Sequence, residues 1–455
     1  MKSVKVKKNW LVNSGVRFDA SYHLSDGVKT KWIIDNFCPY PKTTIEKESK
    51  ELYKGNIHKR VYVDSPTNGN QFYSASDLFK QDLDSGKFVS KKYSPHLKEL
   101  ELKKDWILIT RSGTLGKVVC TTSDHEGKTG TDDLVRINPK ENKIKRGVLY
   151  ALLSSKFGYG LLTQSSYGGV VKHIEPDHVG SIEIPIFPDK NQFEIDQLVK
   201  DSLNSRVEAN KLLKTAHAYF DEILSLNTPL PKTYQKFSSE LSLFHNRLDA
   251  SFNIYKKELD AVVKNCGYSF TKFENHIESI FIPNRGKRVY VKHGLKYLST
   301  TDLFSINPLR INKYLSFKMN GIETLQVKKN WILIARSGQE ILGSTFLVGD
   351  SINKLGVNEH ALRVIVDESE AHYIYGFLSS SFGKSYLRAG IFGSAILTIN
   401  DDYIKELLIP ELDNGKKAKV KALVSKATEL LDQAIINENK AIELVENEIE
   451  SWQKS

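Results

Sequence analysis

The chain is poor in cysteine and lacks any long apolar run. Its three cysteines, Cys38, Cys120 and Cys266, lie far apart, and none falls in a Cys-x-x-Cys pair. Zinc modules and a disulfide framework therefore lose support, and the three read as buried thiols. No stretch approaches 18 consecutive apolar residues, and the opening MKSVKVKKNW is basic without the apolar segment of a signal peptide. A cytoplasmic protein with no membrane association is expected. Recognisable enzyme motifs are also missing: there is no glycine-rich dinucleotide fingerprint, no Asn-Pro-Pro-aromatic motif for base methylation and no His-Glu-x-x-His metal pair. Gly113-Thr-Leu-Gly116-Lys117 is too short for a phosphate loop and has Val118 where a magnesium-binding hydroxyl belongs. His173 and His178 are poorly spaced to share a metal.

What is present is an ordinary globular composition with a positive excess. Hydrophobic residues make up 40% and charged residues 26% of the 455, values that suit two or three folded domains rather than a disordered or fibrous chain. Lysine and arginine number 65 against 54 acidic residues, giving a formal charge of +11. That balance favours a polyanionic partner, nucleic acid first.

The chain also repeats itself. LKKDWILITRSGTLG and VKKNWILIARSGQEILG are nearly the same sequence, with Trp106 matching Trp331, 225 residues on. Tyr150-Ala-Leu-Leu-Ser-Ser-Lys-Phe-Gly158 and Tyr375-Gly-Phe-Leu-Ser-Ser-Ser-Phe-Gly383 keep that spacing, as do Gly168 with Gly393, Ile174 with Ile399 and Pro185 with Pro410. Lys59-Arg-Val-Tyr-Val63 matches Lys287-Arg-Val-Tyr-Val291, and Arg17-Phe-Asp-Ala-Ser-Tyr22 matches Arg247-Leu-Asp-Ala-Ser-Phe252, with small loop indels. So long a period means a duplicated domain rather than a solenoid. Between the shared blocks the copies diverge: TSDHEGKTGTDDLVRI faces VGDSINKLGVNEHALRVI, and TQSSYGGVVKH faces RAGIFGSAILT. Asp84, Glu101 and Lys103 have the residue types of a nuclease centre, but Leu325-Gln-Val-Lys328 lacks the acid in the second copy, so no catalytic role is expected.

Trp106–Ile109 and Trp331–Ile334 read as short buried strands ending in a Ser-Gly turn, with Val118-Val-Cys-Thr and Thr345-Phe-Leu-Val as return strands. Tyr150–Phe157 and Tyr375–Phe382 each read as a single helix closed by a glycine, making each unit α+β. Beyond Pro185 and Pro410 the apolar period becomes helical: Ile195, Leu198, Val199, Ala209, Leu213, Ala216, Phe220 and Ile223 in one segment, Val420 through Ile449 in the other. Two such helices, each roughly 45 Å long, have apolar stripes that pairing with each other would cover. Asn227-Thr-Pro-Leu-Pro231 is expected to end the first.

Residues suited to DNA fall into two sets. Arg111-Ser112-Gly113 and Arg336-Ser337-Gly338 offer a forked donor, a hydroxyl and an open backbone N–H, which suit phosphate, although a shared arginine could equally pair with a carboxylate. Lys59, Arg60, Lys287, Arg288 and Lys292 suit backbone contact, as does Lys117 beside the first turn. Sequence reading belongs where the copies differ: Ser165, Ser166, Tyr167, Lys172 and His173 against Arg388, Ile391, Phe392 and Ser394, and Lys128 to Asp133, including Thr131, against Lys354 to His360.

The W-I-L-I-x-R-S-G block, the S-S-x-F-G segment and the close Val171-Lys-His-Ile-Glu-Pro176 … Ile184-Pro-Ile186 resemble the specificity subunits of type I restriction-modification enzymes, over nearly the whole chain. The resemblance implies an α+β chain with two tandem target recognition domains, residues 1–190 and 241–412, each reading half of an interrupted, asymmetric site on double-stranded DNA. It further implies long helices at 191–226 and 413–455, the first joined to the second domain by a linker at 227–240, that pair as an antiparallel coiled coil serving as ruler and docking surface. Two methyltransferase subunits would dock there, with restriction and motor subunits joining through them. Those partners would use S-adenosylmethionine, ATP and Mg2+, with no cofactor bound by this chain. Ile396-Leu-Thr-Ile-Asn400 departs from the Val171-Lys-His-Ile-Glu175 pattern, so contacts at Lys172 and His173 do not transfer to the second copy. The alternative is a stand-alone or other phage-defence DNA-binding protein with the same architecture.

Overall fold

A computed structural model describes residues 6, 20–94, 97–164, 173–224, 247, 250–338, 340–394 and 396–453. Its strands fall into two matching sets. The first comprises β1 (Lys42–Thr44), β2 (Ser49–Lys54), β3 (Tyr62–Val63), β4 (Gly69–Tyr73), β5 (Phe88–Ser90), β6 (Ile107–Thr110), β7 (Val118–Cys120), β8 (Thr129–Gly130), β9 (Leu134–Pro139) and β10 (Glu183–Pro185). These pair in the orders β2-β9-β6-β7, β3-β5-β4-β8 and β1-β10. The second comprises β11 (Phe270–Lys272), β12 (Ile277–Phe281), β13 (Tyr290–Val291), β14 (Leu295–Leu298), β15 (Tyr314–Leu315), β16 (Ile332–Ala335), β17 (Thr345–Leu347), β18 (Gly356–Val357), β19 (Ala361–Val366) and β20 (Leu408–Pro410). Their orders are β12-β19-β16-β17, β13-β15-β14-β18 and β11-β20. Each strand thus takes the place of the one ten earlier, and even the bulge near Ser49 in β2 returns near Ile277 in β12.

The near-identical blocks are central strands. β6 and β16 are buried at every position and flanked on both sides, which is why they read as continuous apolar runs rather than alternating ones. Asp105 and Asn330, just before the tryptophans, hold positive φ of 68° and 67°, a conformation that Asp and Asn tolerate better than most residues.

The segments expected to form one helix each are two. Arg146–Ser154 stops at Ser155 and Lys156–Gln164 follows; Ala371–Leu378 stops before Ser379-Ser380 and Ser381–Ala389 follows. The serines cause the break: Ser155 Oγ and Ser380 Oγ accept the N–H of Gly158 and Gly383, each at 3.1 Å, as N-caps of the second helix. The glycines are therefore not terminators. A Cβ on Gly158 would lie 2.1 Å from the Leu152 carbonyl oxygen, and one on Gly383 2.2 Å from that of Phe377. Of the cysteines only Cys120 is buried; Cys38 and Cys266 are partly exposed, contrary to the expectation for all three.

By their contacts, residues 1–207 with 436–455 form one unit and 208–435 the other. The central helix, Asp189–Leu224, supplies its first part to the first unit and its second part to the second, as the C-terminal helix, Asn414–Ser451, does in reverse. Within the first unit the two run antiparallel: Asn191 Nδ2 donates to Glu448 at 3.3 Å, and Arg206 pairs with Glu438 at 2.5 Å. Ile195, Val199 and Leu203 share a core there with Ala441, Val445 and Ile449. Within the second unit Ala216 and Phe220 share a core with Val420 and Val424.

Arg206 and Glu438 are 7% and 1% exposed, so an ion pair interrupts the apolar seam. Tyr150 donates to the other Glu438 oxygen at 2.7 Å, and Arg206 also donates to Ser202 at 2.8 Å. Such a pair contributes register more than stability, but breaking it leaves a buried charge. Glu438→Ala is expected to destabilise the first unit by about 3–5 kcal/mol, read from chemical denaturation, whereas replacing Arg206 and Glu438 together with apolar residues of similar volume should cost far less.

Candidate nucleic-acid interface

The divergent loop before β9 and β19 is held from beneath by an arginine. Arg136 and Arg363 are fully buried. Arg136 donates to the carbonyls of Thr131 at 2.8 Å and Leu134 at 3.3 Å. Arg363 donates to those of Asn358 at 2.7 Å, Ala361 and Val357 at 2.5 Å, and Leu325 at 3.3 Å. Burial pushes both guanidiniums below the usual arginine range, Arg363 to about 10. These residues fix the base of Thr131-Asp132-Asp133 and of Asn358-Glu359-His360. Neither was singled out from sequence, although a charged residue inside an otherwise apolar strand in both copies was the available sign.

Above this base lies the Arg-Ser-Gly turn. Gly113 and Gly338 hold φ of 64° and 105°, so the turn needs its glycine. In both units the same backbone bonds fix it: Arg111 N–H donates to the Asp133 carbonyl at 3.3 Å and Arg336 N–H to that of His360 at 3.0 Å, while Ile174 and Ile399 N–H each reach the arginine carbonyl at 3.1 Å. The side chains differ. Arg111 pairs with Asp133 at 3.3 Å and with Glu175, and its Nε reaches the Ile174 carbonyl at 3.1 Å. Glu175 also takes Lys54 at 2.7 Å; burial alone would raise its carboxyl, but hydrogen bonds from Lys54 and Arg111 hold it below the usual range. Ser112 Oγ donates to Asp133. In the second unit Ser337 Oγ meets His360 Nδ1 at 2.6 Å, and Arg336 reaches Thr398 Oγ1 at 3.4 Å.

The Lys-Arg-Val-Tyr-Val segments lead into the outer strands β3 and β13, which hold only their last two residues. Arg60 pairs with Asp132, reaches Thr131 Oγ1 at 3.4 Å and lies 5.1 Å from the Phe72 ring. Arg288 pairs with Glu359 at 2.9 Å, donates to Tyr297 Oη at 3.3 Å and lies 5.8 Å from that ring. The two arginines thus tie the outer strand to the divergent loop, while Lys59, Lys287 and Lys292 stand exposed beside Tyr62 and Tyr290, themselves 55% and 60% exposed. Both tyrosines went unremarked from sequence. A stacking face next to free ammonium groups suits a nucleic-acid backbone with unpaired or flexed bases.

Lys117 lies 5.7 Å from the Phe79 ring, and Lys128 Nζ donates to Tyr73 Oη at 3.0 Å. Arg388 is exposed and donates to the Leu342 carbonyl at 3.3 Å; Ser394 is exposed on the same loop as Phe392 and Ile396. His173 is half-buried, and His178 turns away to the Leu161 carbonyl at 3.0 Å. Ser165, Ser166, Tyr167 and Lys172 lie outside the described residues, as does the 227–231 segment. The nuclease-like trio disperses: Asp84 accepts the Gly86 N–H at 3.0 Å, Glu101 bridges to Thr129, and Lys103 stacks 4.8 Å from Trp106. Among the described residues there is no group of three or more metal-ligating side chains, and no helix is long and apolar enough to cross a membrane.

Residues 34–215 match the family described as "Type I restriction modification DNA specificity domain", and the second unit repeats the strand orders found there. The chain carries that family's domain over residues 34–215. It is a DNA sequence specificity subunit, a family whose members are generally not catalytic. Solved structures similar to this specificity subunit include a type I restriction-modification system S subunit from M. genitalium, at 14% identity and TM-score 0.35, covering 91% of this chain and 96% of that one. The HsdS subunit from Thermoanaerobacter tengcongensis gives 12% identity and TM-score 0.28, covering 89% and 96%. A chain from a study of complex assembly in a type I R-M system gives 11% and 0.29, covering 92% and 98%. A comparison with curated proteins finds no match.

Under the divergent loop of the specificity subunit's first unit lies His125, 2% exposed, whose Nδ1 accepts the Thr122 N–H at 3.1 Å. Desolvation drives its pKa down to about 4. The buried Ile352 takes its place in the second unit. Because the folded value lies below the unfolded one near 6.5, the stabilisation is full above pH 6.5 and is lost as pH falls towards 4. Melting of the full chain between those limits is expected to show an acid-induced fall that His125→Ile makes shallower by up to one proton.

Proposed function

We propose that this subunit recognises a bipartite, asymmetric site on double-stranded DNA, one half through each unit. The observation that carries the reading is the combination of identical strand orders with divergent loops: a shared scaffold fixes position on the duplex, and loops that differ in chemistry read different bases. The positive excess of +11 and the exposed Lys59, Lys287 and Lys292 support the sequence-independent part of binding. Arg388 and Ser394 in the second unit, and Ser165, Ser166, Tyr167, Lys172 and His173 in the first, are the reading candidates.

In this reading two methyltransferase subunits dock on the paired helices, and restriction and motor subunits join through them. The partners supply S-adenosylmethionine, ATP and Mg2+ chemistry, and this chain contributes recognition without a reaction of its own, in the cytoplasm. Methylation mapped on single DNA molecules from the producing cell, with and without the gene, tests it. Loss of adenine methylation at one bipartite, asymmetric motif is the expected result; an unchanged pattern with an active methyltransferase present would leave a stand-alone DNA-binding protein as the better reading. In the same assay Phe392→Ala with Ser394→Ala is expected to relax one half of the motif and leave the other as it was.

A further inference from the structure

The two Arg-Ser-Gly turns share a backbone but not a charge. Arg111 stands with Lys54, Asp133 and Glu175, two cations and two anions in one connected set. Strand pairing aligns Tyr53 with Phe281 and Leu134 with Ala361, so Ile282 and His360 occupy the positions of Lys54 and Asp133. Asn400 occupies that of Glu175 and is engaged elsewhere, since its side chain accepts the Tyr403 N–H at 3.1 Å as the N-cap of the helix Asp401–Lys405. Glu175 makes no such cap on Pro176–Ser181 and faces Arg111 instead. Asp401 and Asp402, the nearest acids in that sequence, pair with Lys405.

Arg336 therefore has no carboxylate partner among the described residues. Its side chain holds one long bond to Thr398, and its Nε has no hydrogen-bond partner. Arg111 is only 12% exposed and is engaged on three sides. A guanidinium bound to two carboxylates can take a phosphate only by giving those up, whereas an uncompensated one offers a planar fork to phosphate directly.

We infer that Arg336 is a phosphate-binding residue of the second unit, and that Arg111, its sequence equivalent, is an internal strut that makes no DNA contact. The duplicated turn thus serves two purposes, set by the substitution of His360 and Asn400 for Asp133 and Glu175. The inference rests on the chain binding DNA.

The test is the salt dependence of binding, by fluorescence anisotropy, of the assembled subunit and its methyltransferase partners to a duplex carrying the methylated motif, between about 50 and 200 mM salt. Arg336→Gln is expected to reduce the magnitude of the slope of log K against log salt by about 0.9, the value for one phosphate, and Arg336→Lys to retain it. His360→Asp with Asn400→Glu should lose the same increment, and Asp133→His with Glu175→Asn should gain it by releasing Arg111. Arg111→Gln should leave the slope unchanged. An unaltered slope in Arg336→Gln, or an equal loss in Arg111→Gln, overturns the inference while the reading as a DNA-binding subunit stands. A wild-type assembly that shows no salt-dependent binding overturns that reading and the inference with it.

Discussion

A buried guanidinium held only by main-chain carbonyls is the constraint on which each unit is arranged. Arg136 and Arg363 sit in central strands with no carboxylate paired to them among the described residues, and their hydrogen bonds come from the backbone around them. A charge taken out of water costs least when its donors find partners, and here the terminal guanidinium nitrogens do. The carbonyls of residues 131–134 and 357–361 therefore cannot move apart without exposing a large penalty. A stretch of chain whose sequence differs between the copies is thus anchored from below in both, and this lets its side chains vary without loss of position.

Acidic residues then decide what the surface above that anchor can do. Asp132 and Glu359 repeat, and with them the ties to Arg60 and Arg288, so the outer strands are attached in the same way in both units. Asp133 and Glu175 do not repeat. Glu359 shows the balance within a repeated tie: burial would raise its carboxyl, but its own backbone hydrogen bond and the Arg288 guanidinium bring it below the usual range. Three replacements, Ile282, His360 and Asn400 for Lys54, Asp133 and Glu175, thus turn a neutral, internally paired set into a single cation while the same backbone bonds hold the turn.

The sequence was informative where the physics is local and repeated. The duplication, the central strands at Trp106 and Trp331 and the two long amphipathic helices all follow from patterns of apolar spacing, which burial enforces directly. It was less informative where one residue type serves two purposes. The glycines at 158 and 383 read as helix ends because glycine often is one; the structure uses them for close approach between helices, and the serines three residues earlier cap the second helix. The arginines beside Lys59 and Lys287 read as phosphate ligands, and the structure gives them carboxylates far away in sequence, which no local pattern reveals. Arg206 with Glu438, 232 positions apart, was hidden for the same reason.

The composition of the first unit also sets a clock for its completion during synthesis. Its core includes Ala441, Val445, Ile449 and Trp452, the last packed against Tyr40 and Phe187. More than two hundred residues of the second unit, 208–435, are made between the two parts. At the usual pace of about 5–20 residues per second, the ribosome needs tens of seconds to deliver the closing helix. Over that interval the apolar stripe of Ile195, Val199 and Leu203 lacks the Ala441, Val445 and Ile449 side chains that complete its core.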